Sequence, residues 1–305
     1  MLISSAVRKI LGYYESDNPG VKTNIARLLM HGKLAGTGNL IILPVDQGFE
    51  HGPGRSYAAN PDAYDPHYHF QLAVDADLSA YAAPLGWLEA GADTFAGAIP
   101  TILKMNSSNS LLSKTLAPNQ AVTASIDDAL RLGCSAIGFT IYPGSDDSLI
   151  MFEEIRELAH EAKSCGLAVI IWSYARGNVT KDGETALDVI SYGAHMAALL
   201  GAHIIKVKLP THHLEMPEAK QQYVQHHVKI DTLADRVRHV KQCCFNGRRL
   251  VVFSGGETKD AQGVLEDAKA IKAGGGNGSI IGRNCFQRPR LEAMNLLENL
   301  IKIYA

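Results

Sequence analysis

The chain contains 305 residues, 46% of them hydrophobic, with 29 Lys and Arg against 31 Asp and Glu and a formal net charge of −2. This near-neutral balance gives no general basic field for nucleic acid or an anionic membrane, so we expect any anion to be recognised locally, as a small ligand. The N-terminus lacks a signal-peptide core, and no run approaches the roughly 18 apolar residues needed to cross a bilayer.

The cysteine and histidine patterns argue against disulfides and metal sites. The cysteines are odd in number and lack CxxC spacing, which favours a reduced, cytoplasmic protein with neither a disulfide framework nor a zinc site; they are Cys134, Cys165, Cys243, Cys244 and Cys285. The paired histidines lie in a polar stretch without HExxH spacing, which favours a solvated surface over a metal site; they are His212, His213, His226 and His227. We therefore predict no bound metal.

Short β-branched runs alternate with longer amphipathic stretches, and several runs are apolar throughout, as is typical of parallel strands buried on both faces. Eight such runs predict one closed (β/α)8 barrel domain over residues 1–305, with an N-terminal helical extension at about residues 1–33. The predicted strands, in chain order, are Asn39 to Val45, Ala92 to Gly97, Pro100 to Met105, Ala136 to Tyr142, Leu167 to Tyr174, Ala202 to Leu209, Arg249 to Gly255 and Gly278 to Arg283.

The stretches between the predicted strands have helical periodicity. Asp147 to Cys165 repeats its apolar residues about every 3.6 positions, and Gly166 follows as a stop before the next strand. Thr185 to Leu200 has the same pattern and ends at Gly201. A glycine in front of a strand recurs along the chain, and this repetition supports the alternation of helix and strand.

Two regions depart from this alternation. The predicted strand Ala92 to Gly97 runs into Pro100 to Met105 with a connection too short for a helix. Gly52 to Leu78, which is rich in Pro, His, Tyr and Asp, predicts a long loop with some helix. Barrel enzymes often carry active-site elements in such insertions.

Active-site residues of a barrel lie at the carboxyl ends of its strands, where side chains two residues apart share a face. Lys206 and Lys208 share a face of the sixth predicted strand, and a lysine on an apolar strand is costly unless it is paired or neutral. Two like charges in a desolvated site favour loss of a proton, which makes an amine nucleophilic. The alternative is that Lys206 forms a structural ion pair and Lys208 extends into water.

The fifth and first predicted strands end in further candidates. Trp172, Tyr174 and Arg176 share a face and offer an apolar wall, a proton donor and acceptor, and a fork for phosphate oxygens. Ordinary packing with an exposed cation is the alternative for these three residues. Asp46 follows the first strand and should face the lumen as a general base or hydroxyl anchor, unless it caps the amides of a turn.

The seventh and eighth predicted strands end in glycines. Ser254, Gly255 and Gly256 follow one strand, and Gly282 and Arg283 follow the other. Glycine lets backbone N–H groups approach an anion closely, and barrels often bind phosphate after these two strands. Arg283 adds a charge-assisted donor, so the pattern predicts a phosphate site.

Several segments together resemble the class I fructose-bisphosphate aldolases of archaea and bacteria. They are ILPVDQGFEHG, IIWSYARG, GAHIIKVK, SGGE and GRNCFQRP, which occur in the order typical of that family. The similarity extends from about Leu34 to the C-terminus and is most specific after the first and eighth predicted strands.

The resemblance implies a (β/α)8-barrel aldolase without metal or cofactor, in which Lys206 forms a Schiff base with a phosphorylated sugar and Lys208 is its neighbour. It assigns acid–base roles to Tyr174, beside Trp172, and to Asp46. It also implies a homo-oligomer. Phosphate binding falls on residues that follow three strands, namely Ser254, Gly255, Gly256, Gly282 and Arg283, with Arg176 for the far phosphate.

The reaction that the resemblance implies is reversible cleavage of fructose 1,6-bisphosphate to dihydroxyacetone phosphate and glyceraldehyde 3-phosphate. Either Tyr174 or Asp46 would accept the proton of the C4 hydroxyl. Two alternatives remain at this point: a related Schiff-base synthase or thiolase acting on another phosphorylated ketone, and a sugar-phosphate-binding barrel with an inert lysine. A metal-dependent aldolase lacks a convincing set of ligands in the sequence.

Overall fold

A closed barrel of eight parallel strands is the centre of the computed structural model, which describes residues 3–255 and 259–305. The strands are β1 (Leu40–Pro44), β2 (Ala80–Pro84), β3 (Thr101–Lys104), β4 (Asn106–Ser107), β5 (Ala121–Val122), β6 (Ala136–Ile141), β7 (Ala168–Ser173), β8 (Ile204–Lys208), β9 (Leu250–Ser254) and β10 (Gly278–Ile280). Strands β4 and β5 form a separate antiparallel hairpin, and β10 pairs with β1 to close the barrel. The predicted (β/α)8 barrel is confirmed.

Helices follow the strands around the outside of the barrel. They are α1 (Ser5–Leu11), α2 (Pro19–Leu29), α3 (Gln47–His51), α4 (Pro53–Tyr57), α5 (Pro66–Asp75), α6 (Leu85–Glu89), α7 (Ile126–Arg131), α8 (Ser148–Ser164), α9 (Leu187–Leu199), α10 (Pro217–Gln225), α11 (Leu233–Cys243), α12 (Ala261–Ala273), α13 (Arg283–Phe286) and α14 (Arg290–Tyr304), with 3-10 turns at Pro61–Tyr64 and Gly183–Thr185. Helices α8 and α9 match the two predicted from periodicity. Gly166 and Gly201 follow them with φ of 83° and 91°, the left-handed conformation that glycine adopts without strain.

The second predicted strand is wrong. Residues 92–97 form turns, and the second barrel strand is β2, which lies earlier in the chain. The sequence of β2, Ala-Tyr-Ala-Ala-Pro, has few of the residues that favour strands, so its pairing with β1 and β3 decides its conformation. The region from Gly52 to Leu78 contains α4, a 3-10 turn and α5, so it holds more helix than the predicted loop.

The lumen and the outside of the barrel form two apolar layers. Side chains of the lumen pack with α1 and α2 in one cluster, to which these helices contribute Val7, Ile10, Val21, Ile25 and Leu28. The hydroxyl of Tyr14 donates to the carbonyl of His203, just before β8, at 2.8 Å. The N-terminal helices therefore close the amino end of the barrel, and the polar lumen residues lie toward its carboxyl end.

A cluster of aromatic rings fills the space between α4, α5 and the barrel. His69 is fully buried in it, with ring centroids of Trp87 and Phe286 at 5.5 and 5.1 Å. Its Nε2 lies 2.8 Å from the carbonyl oxygen of Ala63, and its Nδ1 has no hydrogen-bond partner among the described residues. Burial lowers the pKa of His69 to about 4.

None of the helices in the described ranges has both the length and the apolarity to span a bilayer.

Candidate active site

Lys206 lies in the lumen, opposite Trp172 in the pairing of β7 with β8. Its side chain is buried, and its Nζ lies 5.4 Å from the ring centroids of both Trp172 and Tyr174. Over residues 3–255 and 259–305, no hydrogen bond or ion pair holds this Nζ. The amine is therefore placed against aromatic walls without a fixed partner, as a nucleophile requires.

The charges around Lys206 come from several strand ends. Burial lowers the pKa of Lys206 to about 8, because the charged form loses its hydration. Asp46 opposes this shift, whereas the cations Lys104 and Arg283 add to it. Near neutral pH the amine is therefore free of its proton far more often than an ordinary lysine.

Trp172 occupies its place because Gly138 of β6 has no side chain. A Cβ atom on Gly138 would lie 1.8 Å from Cζ3 of the indole, much closer than atoms can approach. Gly138 is the partner of Lys104 in the pairing of β3 with β6, so the indole reaches across β6 toward β3. Its ring centroid lies 5.8 Å from the Nζ of Lys104 and 5.4 Å from that of Lys206.

Tyr174 follows β7 directly and packs against the lumen cluster. Burial raises the pKa of Tyr174, and the charge of Asp46 adds to this, while a hydrogen bond with Ser254 opposes it. The phenol therefore keeps its proton over the physiological pH range. It can donate that proton to a group next to Lys206.

Asp46 precedes α3 at the carboxyl end of β1. Its side chain makes no hydrogen bond that caps this helix, so the capping alternative does not apply. Its carboxylate instead raises the pKa of Lys206, Lys104 and Tyr174, which places it among these three groups. This position agrees with the predicted orientation toward the lumen.

Two of the predicted cations are paired with carboxylates. The Nζ of Lys208 donates to Glu184 at 2.8 Å, and Nη1 of Arg176 donates to Glu50 at 2.6 Å. Lys208 therefore extends to the rim of the lumen, and the cation that contributes most to lowering the pKa of Lys206 is Lys104. The prediction that Lys208 has this role is corrected accordingly.

The predicted phosphate residues lie at the ends of β9 and β10. Ser254 ends β9, Gly255 after it is exposed, and Gly256 lies outside the described residues. Gly282 precedes α13, and a Cβ atom there would lie 2.9 Å from the carbonyl oxygen of Pro44, so no larger residue fits. Arg283 begins α13, and its charge contributes to lowering the pKa of Lys206.

Lys104 is a site residue that was not predicted, although it carries the same sequence signal as Lys206, a lysine on an apolar strand. Lys104 is buried, and its Nζ donates to the backbone and side-chain oxygens of Asn106 and to Gln120 Oε1 at 3.3 Å. Gln120 donates to the hydroxyl of Tyr142 at 2.6 Å. Asn106 of β4 and Gln120, just before β5, thus connect this hairpin to the site.

Potential metal ligands do not converge in the part of the chain that the structure describes: no group of three or more His, Cys, Asp or Glu side chains could hold an ion there. The four histidines of the 212–227 region are exposed. His213 lies 2.9 Å from Glu215 in a surface pair.

Comparison with known proteins gives consistent results. The DeoC/LacD family aldolase profile matches residues 40–288. A probable fructose-bisphosphate aldolase class 1 of Chlamydia muridarum is 34% identical over 304 residues, which are 96% of this chain and 87% of that protein. Fructose-bisphosphate aldolase class 1 of Thermoproteus tenax is 33% identical over 82% of this chain and 84% of its own length.

A solved structure extends the similarity to three dimensions. It is an archaeal fructose-1,6-bisphosphate aldolase with its catalytic lysine covalently bound to the carbinolamine intermediate of the substrate. Its TM-score is 0.74 at 29% sequence identity, over 88% of this chain and 95% of that chain.

Proposed function

Because the chain belongs to the DeoC/LacD family of aldolases, we propose that it is a class I fructose-bisphosphate aldolase, which cleaves fructose 1,6-bisphosphate reversibly to dihydroxyacetone phosphate and glyceraldehyde 3-phosphate. The observation that carries the proposal is the Lys206 amine. It is buried in the lumen between two aromatic rings, and its pKa is lowered to about 8. An amine in this state adds to a ketone at neutral pH.

The first step joins the enzyme to the ketone. Nζ of Lys206 attacks C2 of the open-chain sugar, and the resulting carbinolamine loses water to form an iminium ion. Tyr174 keeps its proton and lies against the amine, so it is the donor for the departing hydroxyl.

The second step breaks the C3–C4 bond. Asp46 accepts the proton of the C4 hydroxyl, C4 becomes the aldehyde carbon, and the bonding electrons move into the iminium to form an enamine. Tyr174 suits this base role less well than Asp46, because its raised pKa favours the return of a proton from solvent to the phenol after the first step. Protonation of the enamine at C3 and hydrolysis of the imine then release dihydroxyacetone phosphate.

Two phosphate sites would hold the sugar so that C2 lies over Lys206. Ser254, Gly255, Gly256, Gly282 and Arg283 would bind the phosphate of the ketone half at the adjacent ends of β9 and β10. Arg176 would bind the far phosphate from the end of β7. Its side chain is about one-third exposed at 34%, and its present partner is Glu50.

The cellular context follows from the same proposal. The cysteines in the described part of the chain are free, which supports a reducing, cytoplasmic location. Cleavage and formation of fructose 1,6-bisphosphate would give the enzyme a role in glycolysis or gluconeogenesis. A homo-oligomer is part of the same proposal, with contacts through the outer helices; exposed leucines available there include Leu149, Leu199 and Leu291, at 69%, 66% and 73% exposure.

The decisive experiment traps the imine. Borohydride reduction with dihydroxyacetone phosphate, followed by tandem mass spectrometry, should locate the adduct on Lys206. Lys206→Met should lose both turnover and adduct, while Lys181→Met, at an 84% exposed side chain, should keep both. An adduct on another lysine would refute the assignment of the nucleophile. A panel of phosphorylated donors would reveal a synthase or thiolase by its faster reaction with another ketone.

A further inference from the structure

Lys104 is a second lysine in the lumen, close to the same Trp172 indole as Lys206. Its side chain is 2% exposed, although a buried ammonium group loses its hydration at considerable cost. The two amines lie 5.8 and 5.4 Å from the same ring centroid. They therefore form a coupled pair of like charges, and only one of them is needed to form an imine.

The hydrogen bonds of the two amines differ. Nζ of Lys104 donates to Asn106 O, to Asn106 Oδ1 at 2.9 Å and to Gln120 Oε1 at 3.3 Å. An ammonium has three N–H donors, so these oxygens use all of them, whereas a neutral amine would have only two donors and a lone pair. Hydrogen bonds to the charged form stabilise that form. The Nζ of Lys206 has no such partner among residues 3–255 and 259–305.

The oxygens around Lys104 are themselves held in place. Asn106 donates to the carbonyl of Thr140 at 2.8 Å and accepts from the amide of Thr140 at 2.8 Å, so its side chain is fixed to β6. Gln120 donates to the hydroxyl of Tyr142 at 2.6 Å, which fixes which end of its amide faces Lys104. The cradle is therefore rigid and presents acceptors only to Nζ, within the described part of the site.

We propose that Lys104 is a positioning residue that stays charged in the cradle of Asn106 and Gln120 and so directs the loss of a proton to Lys206. This inference rests on the proposed function, since it concerns the amine that forms the imine. Burial lowers the pKa of both lysines to about 8, so the hydrogen bonds decide which lysine keeps its proton.

The other charged groups around Lys206 do not replace Lys104. Asp46 and Glu50, after β1, oppose loss of the proton, while Arg283, after β10, favours it less strongly than Lys104. Tyr174, after β7, keeps its own proton. On the same strand, Lys208 is neutralised by Glu184 at 2.8 Å.

The test measures the initial rate of adduct formation with dihydroxyacetone phosphate and cyanoborohydride as a function of pH, on the full chain. Lys104→Met should still form the adduct on Lys206. Its pH midpoint should lie higher by about one unit, which lowers the rate near neutral pH about tenfold. Lys104→Arg keeps the charge and should keep the midpoint of the unchanged protein.

A second variant tests the same inference in case Lys104→Met does not fold. Gln120→Glu leaves the lysine in place but sets a carboxylate beside it, which should offset its charge and also raise the midpoint. Lys181→Met, at an exposed lysine, should leave the midpoint unchanged. Equal midpoints for the unchanged protein, a folded Lys104→Met and Gln120→Glu would overturn the inference. Absence of an adduct on Lys206 at every pH in the unchanged protein would instead overturn the proposed function.

Discussion

Replacing Gly138 by alanine tests whether the Trp172 indole depends on the space that this glycine leaves on β6. The added Cβ would lie 1.8 and 2.0 Å from Cζ3 and Cη2 of Trp172. Contacts between carbon atoms are favourable near about 3.5–4 Å, so the ring or the strand must move by about 1.7–2.2 Å. Overpacking of this kind in a packed core typically costs about 1–3 kcal/mol.

The urea midpoint of Gly138→Ala should therefore fall, and trapping at Lys206 should slow because the indole leaves its place. In a Trp172→Leu background the same substitution should cost less, with a coupling energy of about 0.5–3 kcal/mol. Gly86→Ala is the matched control, because its Cβ would meet nothing within 4 Å on helix α6. It should stabilise the protein by about 0.4–1 kcal/mol. Equal costs of Gly138→Ala in both backgrounds would refute this account of the contact.

Four further predictions follow from the site and its surroundings. Activity should survive exhaustive EDTA treatment, because the iminium on Lys206 is the electron sink; a loss that zinc restores would contradict this. Arg283→Ala should weaken calorimetric binding of dihydroxyacetone phosphate by about 1.5–3 kcal/mol, and unchanged affinity would place that phosphate elsewhere. The rate of adduct formation should rise with pH through about 8, as the Lys206 amine loses its proton, and a flat profile would disprove the assignment. His69 has a pKa of about 4 in the fold against 6.5 when exposed, so below pH 6.5 the unfolded state binds the proton first. The free energy of unfolding should then fall by up to about 3 kcal/mol between pH 6.5 and 4, and His69→Phe should remove that part of the slope.

The sequence alone predicts a strand, and the face on which its side chains lie, where residue type and the two-residue period of a strand agree. The β-branched residues of β8 predict a buried strand, and period two places Lys206 on the lumen face. The alanines of β2 carry no such signal, because a strand of small residues is specified by the space between its neighbours and not by its own propensity. Gly282 after β10 was visible for the opposite reason, since glycine there permits a close approach to the backbone of Pro44.

The ion-pair partners of the charged site residues could not be predicted from the sequence. Lys208 and Glu184 are 24 residues apart, and Arg176 and Glu50 are 126 apart. Such ion pairs depend on how loops from different strands meet, which no local pattern encodes. The role of Gly138 was hidden in the same way, because a glycine in a strand says nothing about the ring that will occupy its space.

The closure of the barrel by its N-terminal helices has a consequence for synthesis on the ribosome. Tyr14 is made early, but the backbone to which it binds at His203 is 189 residues further along the chain. At about 5–20 residues per second, that backbone emerges roughly 10–40 seconds later. Helix α1, with 7 residues, is too short to be stable alone. Its apolar side chains therefore remain without their native contacts until the later strands have been synthesised. Helices α1 and α2 are thus translated before the barrel but reach their native contacts with it late.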